Sequence, residues 1–168
     1  MHKTILYMAI TINGYIAKEN NETPWSKEEW TSFSNFIKDK KNIIIGRNTY
    51  DLMKGENEFD KIGNPVVVVV SKNKVLDENI ITVGSPKEAV DVLKEKGFNE
   101  FVVAGGGILN SSFLKEGLID EIYLDVESLI FGKGIKLFSD DDFSVKLELL
   151  DVKKISKNLI QVHYKVIK

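Results

Sequence analysis

Cysteine is absent from this chain of 168 residues, which excludes both a disulfide framework and a thiolate metal site. The only two histidines, His2 and His163, lack the spacing of metal ligands, so the sequence predicts no metal site. The longest apolar run, from Pro65 to Val70, is too short to span a bilayer. The N-terminus has no small-residue cleavage site. We therefore expect a cytoplasmic protein with no membrane partner.

An excess of charge of one sign is also missing. The chain has 23 Lys and Arg against 25 Asp and Glu, which gives a formal net charge of -2. Because the two signs are interspersed, no basic field is available to attract a nucleic acid, and we expect no such partner. The length and the hydrophobic content of 43% predict one globular domain that covers residues 1–168.

Short apolar runs recur along the chain, each bounded by Gly, Pro, Asn or Ser. Their lengths and their content of β-branched residues predict strands. The runs are TILYMAITI, KNIIIG, PVVVVVS, NIITVG, EFVVAGGG and EIYLDVE. Several are apolar at successive positions, as expected for strands that are covered on both faces.

Three segments between these runs predict helices. The first starts after a Ser26 N-cap, and the second starts after Ser85, which forms a capping box with Glu88 and precedes a proline. Gly97 ends the second helix, and Gly117 ends a shorter third one. The last segment, FSVKLELLDVKKISKNLIQVHYKVIK, alternates apolar and polar residues around SKN, which predicts an antiparallel hairpin with one solvated face. This order predicts an α/β fold with a mainly parallel sheet and an antiparallel C-terminal hairpin.

Two strand-to-helix turns have the composition of a phosphate-binding site. The first consists of Gly46, Arg47, Asn48 and Thr49, which combine a small residue, a bidentate cation and outward-pointing amides. The second is the triplet Gly105, Gly106 and Gly107, followed by Ile108 and Leu109. A plain turn with a solvated arginine and tight strand-helix packing are the alternative explanations. Because ligands collect at the carboxyl ends of parallel strands, the two turns together predict one extended ligand, and a dinucleotide has the right length.

Six segments, in their order along the chain, resemble the dihydrofolate reductase-like superfamily, and within it the reductase domain of riboflavin biosynthesis and its small stand-alone relatives. They are AITINGYIA (9–17), PW (24–25), GRNTY (46–50), VVVVSK (67–72), GGGILN (105–110) and GLIDEIYLDVESLIFGKGIKLF (117–138). The resemblance covers nearly the whole chain. It implies a three-layer α/β/α domain, NADPH as the hydride donor, and a homodimer.

The resemblance also implies which residues contact the cofactor. The turn from Gly46 to Thr49 would hold the diphosphate and reach the adenosine phosphate, and the segment from Gly105 to Leu109 would hold the diphosphate from the other side. Ser71 and Lys72 would contact the adenosine 2′-phosphate. Ala9 and Ile16 would flank the nicotinamide.

The substrate side departs from the pattern of the family. Folate reductases place a carboxylate in the helix after PW, and the matching position here is Trp30, which argues against folate reduction. Glu28 and Glu29 are close in sequence but fall on neighbouring helix faces.

Three residues are candidates for the substrate pocket. Asn13 could hydrogen-bond a polar heterocycle but cannot act as a general acid. Asp125, expected at a strand end, is the nearest carboxylate candidate, with a solvated strand-end acid as the alternative. Trp25, in the loop before the first helix, is the aromatic candidate.

These observations predict an NADPH-dependent reductase that acts on a pyrimidine-like heterocycle, with a ribosylaminopyrimidine phosphate as the leading substrate. A pteridine or dihydrofolate reductase is the first alternative. Because the carboxylates typical of the relatives are missing, a non-catalytic dinucleotide-binding or sensing protein of the same fold is the second.

Overall fold

The apolar runs of the sequence form strands in the computed structural model, which describes residues 1–168. The strands are β1 (Lys3–Thr11), β2 (Tyr15–Ala17), β3 (Asn42–Gly46), β4 (Val66–Val70), β5 (Ile80–Val83), β6 (Glu100–Val103), β7 (Glu121–Glu127), β8 (Ile135–Lys136), β9 (Lys146–Ser156) and β10 (Leu159–Ile167). The helices are α1 (Lys27–Lys40), α2 (Arg47–Gly55), α3 (Glu58–Lys61), α4 (Pro86–Glu95) and α5 (Gly107–Lys115). None of these helices combines the length and the apolar character that crossing a membrane requires.

Eight strands form one sheet in the order β5-β4-β3-β6-β1-β7-β10-β9, while β2 and β8 form a separate two-stranded sheet. All neighbours from β5 to β7 are parallel, whereas β10 is antiparallel to both β7 and β9. The predicted mainly parallel sheet with an antiparallel C-terminal hairpin is therefore confirmed.

Helices cover the sheet on both faces. Ile43 and Ile45 pack into a core with α1 and α2, while Ile44, between them in sequence, packs into the opposite core with α4 and α5. Successive residues of a strand point to opposite faces, so a strand covered on both sides is apolar at every position. The predicted three-layer α/β/α arrangement is confirmed.

The helices α1 and α4 begin where their capping residues predict. Ser26 Oγ accepts the Glu29 N–H, and Ser85 Oγ accepts the Glu88 N–H, both at 3.2 Å. The Glu88 carboxylate accepts the N–H of Gly84 at 3.0 Å, one residue before the position that a capping box predicts.

The hairpin differs from the prediction of one solvated face. In β9, nine of the eleven residues are exposed, so both faces of this strand are open to solvent. Register places Leu149 and Val152 on the face of the sheet that carries α4 and α5, yet they are 55% and 54% exposed. The alternation of apolar and polar residues predicts which side chains share a face of the strand, but it does not predict whether anything packs against that face.

Candidate functional site

The two glycine turns meet at the carboxyl edge of the sheet. Because β3 and β6 are neighbours, the Gly46 N–H donates to the Gly105 carbonyl at 2.9 Å, and the Ala104 N–H donates to the Ile44 carbonyl at 3.0 Å. The Gly105–Gly106 peptide bond is cis. Two segments separated by about sixty residues in sequence thus form one continuous backbone surface.

The helices that start at these turns lack the caps of the other long helices. Gly46 and Gly106 are the N-cap residues of α2 and α5, neither makes a side-chain cap, and neither first turn contains an acid. In contrast, α1 and α4 have serine caps and acids in their first turns. Uncapped N-termini present free N–H groups and the positive end of the helix dipole, which together favour an anion.

The three glycines of the triplet have different surroundings. A Cβ on Gly105, whose φ is +96°, would lie 3.1 Å from Met8 Cε. A Cβ on Gly106 would meet only Thr49 Oγ1, at 3.7 Å, so the backbone is open at this residue.

Gly107 is closely packed against protein. A Cβ there would lie 2.4 Å from the Lys136 carbonyl oxygen, and the Ser139 N–H donates to the Gly107 carbonyl at 3.2 Å. Asn110 Nδ2, one turn later, donates to the Leu137 carbonyl at 2.9 Å. Gly107 therefore fits the packing explanation, because the 136–139 segment occupies the space next to it.

The cationic residues expected near the cofactor phosphates follow the ends of two neighbouring strands. Gly46 and Val70 are paired in register, so Arg47 and Ser71 leave neighbouring strand ends together. Arg47, the only arginine of the chain, is exposed, and its Nε lies 3.1 Å from Asp51 Oδ1. Asn48 and Lys72 are also exposed.

Four apolar residues were expected to contact the cofactor. Ala9 and Ile16 are buried in β1 and β2, and Ile108 is 76% exposed at the start of α5. The side chain of Leu109 packs in the core under α5, so only its backbone could take part in the expected contact.

Asn13 and Trp25 both contact Phe131. Asn13 Nδ2 donates to the Phe131 carbonyl at 2.7 Å, and Asn13 Oδ1 accepts the Thr11 hydroxyl at 2.8 Å. Trp25 stacks on the Phe131 ring with 6.1 Å between ring centroids. Protein groups thus engage both ends of the exposed Asn13 amide, and its second N–H remains the one that could meet a heterocycle.

Asp125 lies within β7 and is fully buried, so the alternative of a solvated strand-end acid is wrong. Its carboxylate accepts the Tyr7 hydroxyl and, at 2.9 Å, Gln161 Nε2. Burial raises the pKa of Asp125, while these hydrogen bonds act in the opposite direction. Asp125 therefore anchors an internal network at the base of the site.

Glu29 is not among the candidates that the sequence predicts, yet it is buried and only 4% exposed. Ser26 connects it to Glu127, because Ser26 donates to Glu127 Oε1 from both N and Oγ, at 2.8 and 2.7 Å. Asp125 and Glu127 are two residues apart, so they share the face of β7 under the first turn of α1. The Glu29 carboxylate forms no ion pair with any lysine, arginine or histidine.

The environment of Glu29 changes its protonation. Burial raises its pKa to about 8, and the nearby charges of Asp125, Glu127 and Glu58 act in the same direction. A carboxyl group with such a pKa is protonated at neutral pH and can donate a proton or a hydrogen bond. The sequence does contain a pattern that indicates the burial of Glu29. Glu29, Phe33 and Ile37 are spaced four residues apart, which places them on the same, apolar side of α1.

The fold and this edge of the sheet define a reductase-like enzyme fold of the dihydrofolate reductase-like superfamily. A Shewanella sp. PV-4 protein assigned to riboflavin biosynthesis superposes with a TM-score of 0.82 at 26% identity over 99% of each chain. The deaminase/5-amino-6-(5-phosphoribosylamino)uracil reductase of Thermotoga maritima superposes with a TM-score of 0.76 at 18% identity. The chain spans 57% of that longer protein, which at this identity shows the fold alone.

The sequence places the chain more narrowly. The chain belongs to the RibD C-terminal domain family, whose model matches residues 2–161. It is also 31% identical to YwjB, an uncharacterized protein of Bacillus subtilis, over 96% of this chain and 97% of that protein.

Proposed function

We propose that the protein is an NADPH-dependent reductase of a pyrimidine-like heterocycle. The observation that carries the proposal is the pair of uncapped helix N-termini, α2 and α5, joined through the Gly46–Gly105 hydrogen bond at 2.9 Å. A diphosphate is a ligand that such a pair favours. Membership of the RibD C-terminal domain family supports a reductase, and the name of the Thermotoga maritima protein supports a pyrimidine substrate.

NADPH fits the residues at this edge. The open backbone at Gly106 and the free amides of α2 and α5 would hold the diphosphate. Arg47, Ser71 and Lys72 would hold the 2′-phosphate, because these two cations and a hydroxyl follow neighbouring strand ends and the first turn of α2 contains no acid. When bound, NADPH supplies the hydride for reduction of a C=N or C=O bond.

Glu29 would supply the proton. Reduction of such a bond adds a hydride to carbon and a proton to nitrogen or oxygen, so the protein must deliver one proton in each turnover. With a pKa of about 8, Glu29 holds that proton at neutral pH. Asp125 and Glu127 would remain in place as hydrogen-bonded neighbours that keep the Glu29 proton bound.

A pteridine is the second candidate substrate, and Glu29 is the observation that favours it. In the sequence, Trp30 stands at the position where folate reductases have their carboxylate. In the structure, the carboxyl group buried under α1 belongs to the preceding residue. A buried carboxyl without a cationic partner suits an amino-substituted ring, whose N–H groups it can accept.

One experiment tests the proposal. NADPH and NADH are titrated calorimetrically into the wild-type protein and Arg47→Ala, and NADPH oxidation is then followed with panels of aminopyrimidines and pteridines. We expect NADPH to bind more tightly than NADH and Arg47→Ala to weaken NADPH about tenfold or more, as for loss of a charged phosphate contact. Lys87→Ala is the matched control, because Lys87 forms an i,i+4 pair with Asp91 on α4, as Arg47 does with Asp51 on α2.

The outcomes separate the alternatives. Absence of nucleotide binding contradicts the proposal. Binding without oxidation by any heterocycle supports the non-catalytic sensing protein. If oxidation occurs, Glu29→Gln is expected to bind NADPH normally and to slow turnover by about two orders of magnitude, the typical contribution of a positioned acid.

A further inference from the structure

The loop between β4 and β5, residues 71–79, is held to the rest of the protein at three points. The Ser71 N–H donates to the Val83 carbonyl at 2.9 Å, and the Val75 N–H donates to Thr82 Oγ1 at 3.2 Å. The Val75 side chain is buried in the core beside α2. Ser71 and Val75 are the first two points of attachment. Asp77 is the third, and it is the only one that involves a charged side chain.

Asp77 connects the loop to α2. Its carboxylate accepts the Tyr50 hydroxyl and Lys54 Nζ, two side chains that lie one helical turn apart. Its other oxygen accepts the Asn79 N–H at 2.9 Å, which closes the loop locally. The Asp77 side chain is only 10% exposed, whereas its neighbours Leu76 and Glu78 are exposed.

The connection joins two parts of the proposed cofactor site. Tyr50 directly follows Thr49 in the first turn of α2, which presents the amides proposed to bind phosphate. Ser71 and Lys72 lie at the start of the loop that Asp77 attaches to α2. With both ends of the loop attached, Lys72 remains exposed two residues after the end of β4, the strand that pairs with β3 just before Arg47.

We propose that Asp77 is a positioning residue that sets the preference for NADPH over NADH by holding Ser71 and Lys72 against the N-terminus of α2. This inference rests on the proposed function, because it assigns the 2′-phosphate to that corner. Asp77 itself does not touch the cofactor in this scheme. The ion pair with Lys54 also balances the negative charge of the Asp77 carboxylate, which would otherwise disfavour a phosphate at this corner.

The test compares the two cofactors in Asp77→Asn, which keeps the size of the side chain and removes its charge. We expect the Kd for NADPH to rise about tenfold and the Kd for NADH to change less than about twofold. Tyr50→Phe removes only the hydroxyl and is expected to shift the same ratio in the same direction. Asp91→Asn, which breaks a surface pair on α4, is the matched control and is expected to leave the ratio unchanged.

Three results have distinct meanings. A wild-type protein that prefers NADPH and keeps its preference in both Asp77→Asn and Tyr50→Phe overturns the inference and leaves the proposed function intact. Equal weakening of both cofactors, with a lower thermal midpoint, also overturns it, because that result indicates a structural role alone. A wild-type protein without any preference for NADPH contradicts both the inference and the proposed cofactor.

Discussion

Glu29 is the residue whose chemistry depends most on its surroundings. Its neighbour Glu28 is exposed, whereas Glu29 faces Asp125 and Glu127 under α1. A carboxyl group in such a place prefers its neutral form, because burial and nearby negative charge both disfavour ionisation. Folding therefore changes the proton affinity of this group, which links the stability of the protein to pH.

We predict that Glu29→Gln stabilises the protein in alkaline solution but not in acid. The folded pKa of about 8 exceeds the usual value of 4.5, so the wild type loses stability as the pH rises from 4.5 to 8. Glutamine has no such loss, and the difference should reach a few kcal/mol at pH 9, at about 1.4 kcal/mol for each pKa unit. Urea unfolding at pH 4 and pH 9 measures it, with Glu28→Gln as the control. A difference that is the same at both pH values would contradict the prediction.

The sequence predicted the two glycine turns at the carboxyl edge of the sheet but did not predict the burial of Glu29, and the reason is physical. Gly46, Arg47 and Gly105 follow buried strands directly, so their place at the sheet edge depends only on which strands are parallel. Which face of α1 points to the sheet depends on how the helix packs. A shift of one residue rotates a side chain by about 100°, and such a shift exchanged Trp30 for Glu29.

The four long helices differ in how their first N–H groups are satisfied. The starts of α1 and α4 satisfy their free N–H groups with serine, and the starts of α2 and α5 leave them open. Caps are worth about 1 kcal/mol each, so open starts make the helices less stable than they could be. Such an omission is expected where a ligand takes the place of the cap.

Two neighbouring glycines at the start of α5 should respond differently to alanine. Gly107→Ala places a Cβ 2.4 Å from the Lys136 carbonyl, so we predict a loss of roughly 1–3 kcal/mol in unfolding free energy, as for other overpacked sites. Gly106→Ala meets only Thr49 Oγ1 at 3.7 Å, so we predict a folded protein of similar stability that binds NADPH more weakly. Chemical denaturation and calorimetry measure the two effects. Equal stability of the two variants would show that the 136–139 segment moves away without cost.

This pair of residues also shows what sequence cannot decide. A glycine triplet fits both a diphosphate and close packing, and in the structure Gly107 is closely packed whereas the backbone at Gly106 is open. The partner of Gly107 is a segment that begins about thirty residues later, and no local pattern announces it. The strands were easier to predict, because a strand that is covered on both faces is apolar at every position.

At the scale of the molecule, the outer strands of the sheet are poorly covered. Leu147, Leu149, Leu150, Val152 and Ile160 are all at least 40% exposed. Exposed apolar residues grouped on a sheet edge favour pairing with another chain. We propose that a second copy of this chain covers these strands, in line with the homodimer that the family resemblance implies.

We predict that Leu149→Lys combined with Val152→Lys converts the dimer into a monomer. The two side chains lie on one face of β9, and two added charges would be buried without partners in a shared interface. Light scattering at micromolar concentration measures the mass. Leu76→Lys is the control, because Leu76 is 95% exposed in a loop away from the hairpin. A wild-type monomer would contradict the proposal directly.

The position of β1 has a consequence for how the chain is made. This strand is completed by Thr11, yet both of its neighbours in the sheet, β6 and β7, begin only at Glu100 and Glu121. On the ribosome, the central strand must therefore wait until most of the protein has been synthesised before either partner exists. Pairings over such long sequence separations slow folding and leave apolar segments exposed meanwhile. The run TILYMAIT therefore stays without its sheet partners for much of synthesis, and a chaperone that binds short apolar stretches is expected to bind it during that time.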